Sequence, residues 1–437
     1  MESLATAVII LFFLVLYLGL GVWVFAGLLL VSFSGLYFLL DWPLIRIGTN
    51  MAPLIIRNAT SWELSCIPMF VWMGEIMFRT DISDRLFKGL SPIVHFLPGR
   101  LLHTNVIGSA LFAAVSGSSA ATTATVGKIT TTELLKRNYS KSLAFGSLAG
   151  AGSLGLLIPP SIVLIVYGVL AEVSISRLFA AGVYPGILIA TLYSGFIIVR
   201  CIINPTLAPS IEKQPSLKDV AYGLLNLIPI TVLIIIVLGS IYSGIATPSE
   251  AAAVGVLATL ILTVLTRQLS IDVFFNSLMG AVRTSCMIAS ILLAAAFLSM
   301  SMAYLHVPQE VAAGIVKLNL SPYQLIATLA VFYIMLGLFL EGISITVMSL
   351  PITLPLVLAA GFDPIWFGIF LVIMVELAQI TPPIGFNLFI IQGLTGTPIT
   401  KVAIASAPFF ILMCCAAAII TVFPQIALWL PDTLFNK

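Results

Sequence analysis

Two prolyl-proline pairs decide the fold of this chain, in Leu156-Leu-Ile-Pro-Pro-Ser-Ile162 and Ile380-Thr-Pro-Pro-Ile-Gly-Phe386. They lie in two apolar stretches, 142–170 and 364–392, which are longer than the roughly 20 residues that one membrane crossing needs. Each stretch is therefore predicted to be a broken helix, because proline interrupts the hydrogen bonds of a helix. Irregular backbone at membrane depth is tolerated only where protein or a watery cavity covers it. The two breaks therefore indicate a site inside a membrane.

A small, polar turn lies about forty residues before each break. Residues 102–135 contain Ser116-Gly-Ser-Ser-Ala120, which is too polar to face lipid. Residues 322–360 are apolar but are interrupted at Glu341-Gly-Ile-Ser344 and again by two prolines. Each region is predicted to be a re-entrant hairpin, in which two half-length helices meet at a polar tip.

The composition excludes most classes of soluble protein. Of the 437 residues, 60% are hydrophobic and 8% are charged, whereas soluble domains have about a quarter charged residues. The mean hydropathy is +1.17, and a net charge of +2 provides no basic field for nucleic acid. A polytopic membrane protein remains. Its 32 glycines and 24 prolines indicate helices that are repeatedly broken.

The reactive side chains form no catalytic or metal-binding pattern. His95, His103 and His306 are not spaced with Cys, Asp or Glu as metal ligands. The five cysteines show no Cys-x-x-Cys spacing, and they lie in or beside apolar stretches. We therefore predict that the chain is not an enzyme, and a membrane-embedded protease is the disfavoured alternative.

The order of the apolar stretches repeats along the chain. Each half has three simple spans, a hairpin, a broken helix and one more span, which gives about ten transmembrane helices and two hairpins. The simple spans are predicted at 4–20, 23–40, 62–78, 178–200, 222–242, 250–266, 284–305 and 402–430. Five spans per half is an odd number, so the second repeat must enter the membrane upside down. Inverted repeats with paired broken segments are typical of secondary transporters.

The repeats are assigned to residues 1–203 and 221–437, with a cytoplasmic linker at 204–220 that includes Lys213. The distribution of Lys and Arg gives the orientation, because basic residues accumulate on the cytoplasmic side. With the N-terminus outside, fourteen basic residues fall inside and five fall outside, namely Arg46, Arg57, Arg177, Lys317 and Lys437.

The breaks and tips offer ligands for ions. The breaks are expected to free the carbonyls of Gly155, Leu156, Ala378 and Gln379. Freed carbonyls and tip hydroxyls suit a dehydrated Na⁺, and half-helix N-termini suit an anion. Alternatively, the prolines only kink the helices and the small residues only pack. Glu376, an ionisable group within a broken helix, either packs against a helix N-terminus or takes part in the site.

Four motifs in this order resemble one family. They are the runs Phe112-Ala-Ala-Val-Ser-Gly-Ser-Ser-Ala-Ala-Thr122, Leu156-Leu-Ile-Pro-Pro-Ser-Ile162, Gly337-Leu-Phe-Leu-Glu-Gly342 and Ile380-Thr-Pro-Pro-Ile-Gly-Phe-Asn-Leu-Phe389. Over nearly its whole length the chain resembles the large membrane (M) subunit of tripartite ATP-independent periplasmic (TRAP) transporters. Asp363-Pro-Ile-Trp-Phe-Gly368 also fits this family.

The resemblance implies an elevator-type importer in the bacterial inner membrane, with Na⁺ as coupling ion and no other cofactor. In that membrane, the N-terminus that the basic residues place outside would be periplasmic. A periplasmic binding protein would deliver an organic acid of the sialic acid or C4-dicarboxylate class. The small four-helix membrane subunit is expected to be a separate polypeptide. The alternatives are a binding-protein-independent Na⁺/dicarboxylate symporter and, less favoured, an anion channel.

The motif positions also imply the residues of two sodium sites. The first would comprise Ser116, Ser118, Gly155, Ile158 and Pro160. The second would comprise Glu341, Gly342, Ser344, Gln379 and Thr381, although the family usually has Asp at the position of Glu341. The substrate is expected to contact Ser119, Glu341, Pro159, Pro383 and Asn387.

Overall fold

A computed structural model describes residues 2–209, 215–310, 320–338, 340–382 and 385–435. Pro383, Lys213, Lys317 and Lys437 lie outside these ranges. The described residues form helices and connecting turns, without a β-strand. Six helices among them are long and apolar enough to cross a membrane. The prediction of an all-α polytopic membrane protein is therefore confirmed.

The helices are numbered here in chain order. The first half contains α1 (Glu2–Gly19), α2 (Val24–Leu39), α3 (Leu44–Ala59), α4 (Cys66–Phe78), α5 (Ile82–Val94), α6 (His103–Ser116), α7 (Ser119–Lys136), α8 (Lys141–Gly152), α9 (Ile162–Leu170) and α10 (Ile175–Ile203). The second half contains α11 (Leu217–Tyr242), α12 (Pro248–Leu265), α13 (Ile271–Tyr304), α14 (Pro322–Gly337), α15 (Gly342–Ala359), α16 (Pro364–Gln379), α17 (Phe386–Thr395), α18 (Ile399–Val422) and α19 (Gln425–Phe435).

Two pairs of short helices stand where the hairpins were predicted. In the first hairpin, α6 and α7 are separated only by Gly117 and Ser118. Gly117 has a φ of +60°, which favours glycine, and the Ser118 hydroxyl accepts a hydrogen bond from the Ala121 amide at 3.4 Å. In the second hairpin, formed by α14 and α15, Glu341 lies directly before the first residue of α15. The first tip is hereafter residues 116–119, and the second tip is residues 341–344.

Both proline pairs interrupt helices. The first broken helix consists of α8, a 3₁₀ turn at Ser153–Leu156 and α9, with a non-helical first break at 157–161. The second consists of α16 and α17, separated by a second break at 380–385, of which residues 383 and 384 lie outside the described part. Helix, break and helix therefore follow each hairpin in the same order.

Two predicted spans differ from the observed helices. The stretch 284–305 belongs to the longer α13, whose start is capped by Ser270: its hydroxyl accepts from the Val273 amide at 3.1 Å. The single span predicted at 402–430 is wrong, because α18 ends at Val422 and α19 begins at Gln425. Pro424 explains this interruption, since proline disfavours helical backbone in the residue before it.

Helices α3 and α5 were not predicted from the sequence. Both are amphipathic rather than continuously apolar, and they contain Pro53 and Pro92. Helix α5 packs closely on α11, where a Cβ added to Gly223 would lie 2.7 Å from the carbonyl oxygen of Gly89. Neither helix carries the long apolar run that predicts a simple span.

Burial separates a core from a lipid-facing exterior. Every residue of α16 from Ile365 to Gln379 is buried, and so is α8 from Leu143 to Gly152. In contrast, α11 and α12 expose large apolar side chains, including Leu225, Ile235 and Leu257. Helices α8 and α16, the first halves of the two broken helices, therefore lie inside the molecule, whereas continuous helices such as α11 and α12 lie at its exterior.

Candidate functional site

A cavity of about 620 Å³ lies where both tips meet the two broken helices. Helices α2 and α13 also contribute to its wall, through residues such as Phe25 and Met287. Six residues predicted to bind sodium or substrate line this cavity: Ser118, Ser119, Glu341, Gly342, Ser344 and Gln379. The structure thus brings together predicted residues from both halves of the chain.

The first tip is in backbone contact with the first broken helix. A Cβ added to Gly117 would lie 2.7 Å from the carbonyl oxygen of Pro160. A Cβ added to Gly155 would lie 2.6 Å from both the nitrogen and the Cα of Ser119. Only glycine permits such an approach, because any larger residue would place a side chain where the opposing backbone lies.

Ser116 and Ile158 occupy different surroundings within the first predicted sodium set. The Ser116 hydroxyl is buried inside the tip, 2.9 Å from the Thr122 hydroxyl. The Ile158 side chain packs towards α10. A Cβ added to Gly186 of that helix would lie 2.8 Å from Cγ1 of Ile158. Ser118, Gly155 and Pro160 therefore lie at the contact between tip and break, Ser116 lies just behind it, and the Ile158 side chain points away.

The second tip packs against the end of α16. A Cβ added to Gly342 would lie 2.5 Å from Cγ1 of Val375 and 3.4 Å from Nε2 of Gln379. The Ser344 hydroxyl donates a hydrogen bond to the Glu341 carboxylate at 3.2 Å. Four members of the second predicted set, Glu341, Gly342, Ser344 and Gln379, are therefore neighbours.

Two of the carbonyls that were expected to be free have donors. The Leu156 carbonyl accepts a hydrogen bond from the Ser161 hydroxyl, and the Ala378 carbonyl accepts one from the Thr381 amide at 3.2 Å. The Thr381 hydroxyl donates to the Leu377 carbonyl at 2.6 Å. The expectation for Leu156 and Ala378 is corrected: hydroxyls and turn amides replace the amides that proline removes, as they do at helix ends.

Glu376 connects the second repeat to the first. Its carboxylate, 1% exposed, accepts hydrogen bonds from the Ser119 hydroxyl at 2.6 and 2.7 Å and from the Leu156 amide at 2.7 Å. Glu376 therefore packs against the start of α7, as one of the two alternatives from the sequence predicted, and its partner Ser119 lines the cavity. The sequence signal for Glu376 was its ionisable group in an apolar helix.

The predicted substrate residues fall into three groups. Ser119 and Glu341 line the cavity. Pro159 packs on α10, because a Cβ added to Gly182 of that helix would lie 3.6 Å from Cδ of Pro159. Asn387 is fully buried, and neither atom of its side-chain amide has a hydrogen-bond partner among the described residues. It is not among the described residues that line the cavity.

Comparisons with known proteins agree with this architecture. The family model of the DctM component of the tripartite ATP-independent periplasmic transporter matches residues 9–426. The C4-dicarboxylate TRAP transporter large permease protein DctM of Pseudomonas aeruginosa is 31% identical over 388 residues, which are 88% of this chain and 90% of that protein. The sialic acid TRAP transporter large permease protein SiaM of Vibrio cholerae is 29% identical, over 93% of this chain and 96% of that protein.

A solved structure supports the fold independently. The YdaH transporter of Alcanivorax borkumensis superposes with a TM-score of 0.59 at 14% identity, over 86% of this chain and 87% of that one. The DctM family consists of transporter permeases rather than enzymes, and its members are multi-pass inner-membrane proteins. Because the family model covers nearly the whole chain, this protein belongs to the DctM family of large membrane permeases of tripartite ATP-independent periplasmic transporters.

Proposed function

We propose that this permease imports an organic acid together with Na⁺, using an elevator motion. The observation that carries this proposal is the cavity between the two tips, because residues from both repeats surround it. Ligand sites at the meeting point of broken helices are typical of secondary transporters. The volume of about 620 Å³ is also within the usual range for small-molecule sites.

The charge of the cavity supports sodium coupling. Among the described residues that line it, Glu341 is the only ionisable side chain, and it is acidic. An organic anion would therefore need a positive charge that the lining does not supply. Sodium ions at the tips would supply it, and the N-termini of α7 and α15 would add partial positive charge.

Each sodium ion would bind between one tip and one broken helix. In the first site, Ser116 and Ser118 would act with Gly155 and the carbonyls of Ile158 and Pro160. In the second, Glu341, Gly342 and Ser344 would act with Gln379 and Thr381. The close contacts of Gly155 with Ser119 and of Gly342 with Gln379 support this assignment.

The names of some relatives and the lining of the cavity support an organic acid as the proposed substrate. Relatives are named for C4-dicarboxylates and for sialic acid, which share a carboxylate group. Its contacts would come from Ser119, Glu341, Pro159, Pro383 and Asn387. A periplasmic binding protein would deliver the acid, and a small four-helix membrane subunit would pack on the permease. The N-terminus would be periplasmic.

The elevator motion is supported by the distribution of burial. The first tip touches the first broken helix through backbone contacts, and the second tip packs against side chains of both broken helices, namely Val375, Gln379 and Leu156. Helices such as α2 and α11 lie outside them and expose apolar side chains, which suits lipid or a partner subunit. The interrupted elements would move together as one body against these outer helices.

Uptake into proteoliposomes tests this proposal. The permease is reconstituted with its small subunit, and labelled sialic acid, succinate and other organic acids are supplied with or without the binding protein. We expect saturable uptake of one class of acid that requires both Na⁺ and the binding protein. Uptake without the binding protein would instead support the independent symporter, and uptake that does not saturate would support a channel.

A further inference from the structure

The carboxylate of Glu376 lacks a countercharge in the protein. It is 1% exposed, and none of the ion pairs among the described residues includes it. Its partners are the Ser119 hydroxyl and the Leu156 amide, which are both neutral. An ionised carboxylate is unfavourable in a buried position without a positive partner, so a nearby cation would stabilise it.

The two partners of Glu376 adjoin the proposed first sodium site. Ser119 follows Ser118 in the first tip, and Leu156 follows Gly155 in the first broken helix. A Cβ on Gly155 would lie 2.6 Å from the backbone of Ser119, so these two segments are in direct contact. The hydrogen bonds of Glu376 therefore join the tip and the broken helix where both would have to face the ion.

We propose that Glu376 is a positioning residue for the first sodium site. It holds the tip against the broken helix, and it provides the negative charge that makes the site favourable for a cation. This inference rests on the proposed sodium coupling. It also makes the first site depend on the second repeat, because Glu376 belongs to α16.

The same turn of α16 also reaches the second tip. Val375 and Gln379 lie 2.5 and 3.4 Å from the position of a Cβ on Gly342. One short segment thus contacts the first tip through Glu376 and the second tip through its neighbours. A displacement of this segment would change both tips together, which links the two sites mechanically.

Thermal unfolding of the purified permease in detergent, measured against Na⁺ alone, tests the proposal. Choline replaces Na⁺ so that ionic strength is constant. The midpoint is the Na⁺ concentration that gives half of the maximal shift in Tm. Glu376→Gln keeps the size of the side chain but removes its charge. We expect this variant to require about tenfold more Na⁺ than the wild type, since charge effects are large in a low-dielectric interior.

Three further variants make the result decisive. Glu172→Gln, which removes an exposed carboxylate in the α9–α10 loop, should keep the wild-type midpoint. Glu376→Asp keeps the charge and should lie between the wild type and Glu376→Gln. Ser119→Ala removes one hydrogen bond and should also raise the midpoint, which keeps the test available if Glu376→Gln fails to fold.

The outcomes separate this inference from the proposed function. A wild-type protein that Na⁺ does not stabilise more than choline does would contradict sodium coupling itself. If the wild type responds and neither Glu376→Gln nor Ser119→Ala changes the midpoint, the positioning role of Glu376 is wrong and sodium coupling stands. A lower Tm with an unchanged midpoint would likewise reduce Glu376 to a packing residue.

Discussion

At the scale of single residues, Gly155 shows how little space separates the first tip from the first broken helix. A Cβ added to Gly155 would lie 2.6 Å from the nearest backbone atoms of Ser119. Backbone cannot yield as a flexible side chain does, so even a methyl group must push the two segments apart. The residue identity is therefore dictated by a contact 36 residues away in the sequence, between Gly155 and Ser119.

Gly155→Ala should consequently destabilise the fold by about 1–3 kcal/mol, the usual cost of overpacking, and should abolish Na⁺-dependent uptake. Gly195→Ala is the matched control, because Gly195 lies in α10 with no atom within 4 Å of its added Cβ. Thermal unfolding and uptake are measured for both variants. Equal transport by the two variants would contradict the close contact between tip and break.

Ser116→Ala tests the hydroxyls of the first tip. Its hydroxyl lies 2.9 Å from that of Thr122 and is buried, so the substitution removes an oxygen without adding bulk. We expect the Na⁺ concentration for half-maximal uptake to rise severalfold, because a buried ligand or its support is lost. A folded variant with wild-type Na⁺ dependence would remove Ser116 from the first site.

At the scale of elements, the sequence predicted the interruptions better than the continuous helices. Proline pairs and polar tips are local signals, and the helices are interrupted close to both predicted tips and both predicted breaks. Helices α3 and α5 were missed because amphipathic helices in a membrane protein carry no long apolar run. The interruption between α18 and α19 was missed although Pro424 marks it.

The candidate site was predictable only in part, for a different physical reason. Motifs place residues along the chain, but the donors of Leu156 and Ala378 depend on local turns that form only in three dimensions. Likewise, Glu376 was visible as an ionisable group, but its partners Ser119 and Leu156 are 257 and 220 residues away. Contacts over such separations cannot be deduced from spacing.

A crosslink between a hairpin and an outer element should stop transport if the hairpins move as a body. Phe87 of α5 and Ile129 of α7 both line two further pockets, which are distinct from the cavity between the tips. With the exposed Cys286 and Cys415 replaced, cysteines at 87 and 129 are joined by a short bifunctional reagent. We expect uptake to fall to background, and uncrosslinked protein to transport normally. Undiminished uptake by fully crosslinked protein would favour local gating.

At the scale of the whole molecule, the orientation remains a prediction from the distribution of basic residues. Asn138 lies between α7 and α8, and Glu172 lies between α9 and α10, so they flank the first broken helix. With the N-terminus periplasmic, a cysteine at 172 should react with a membrane-impermeant thiol reagent in intact cells, and one at 138 should not. The reverse labelling pattern would invert the topology.

We propose above that a sodium gradient drives an organic acid through the cavity between the two tips. The most direct test of this proposal is concentrative uptake by proteoliposomes that contain the complete transporter, its binding protein and the labelled acid. We expect that an inward Na⁺ gradient raises the internal concentration of the acid above the external one, and that a sodium ionophore abolishes the accumulation. Accumulation that is equal with Na⁺ at the same concentration on both sides would contradict it.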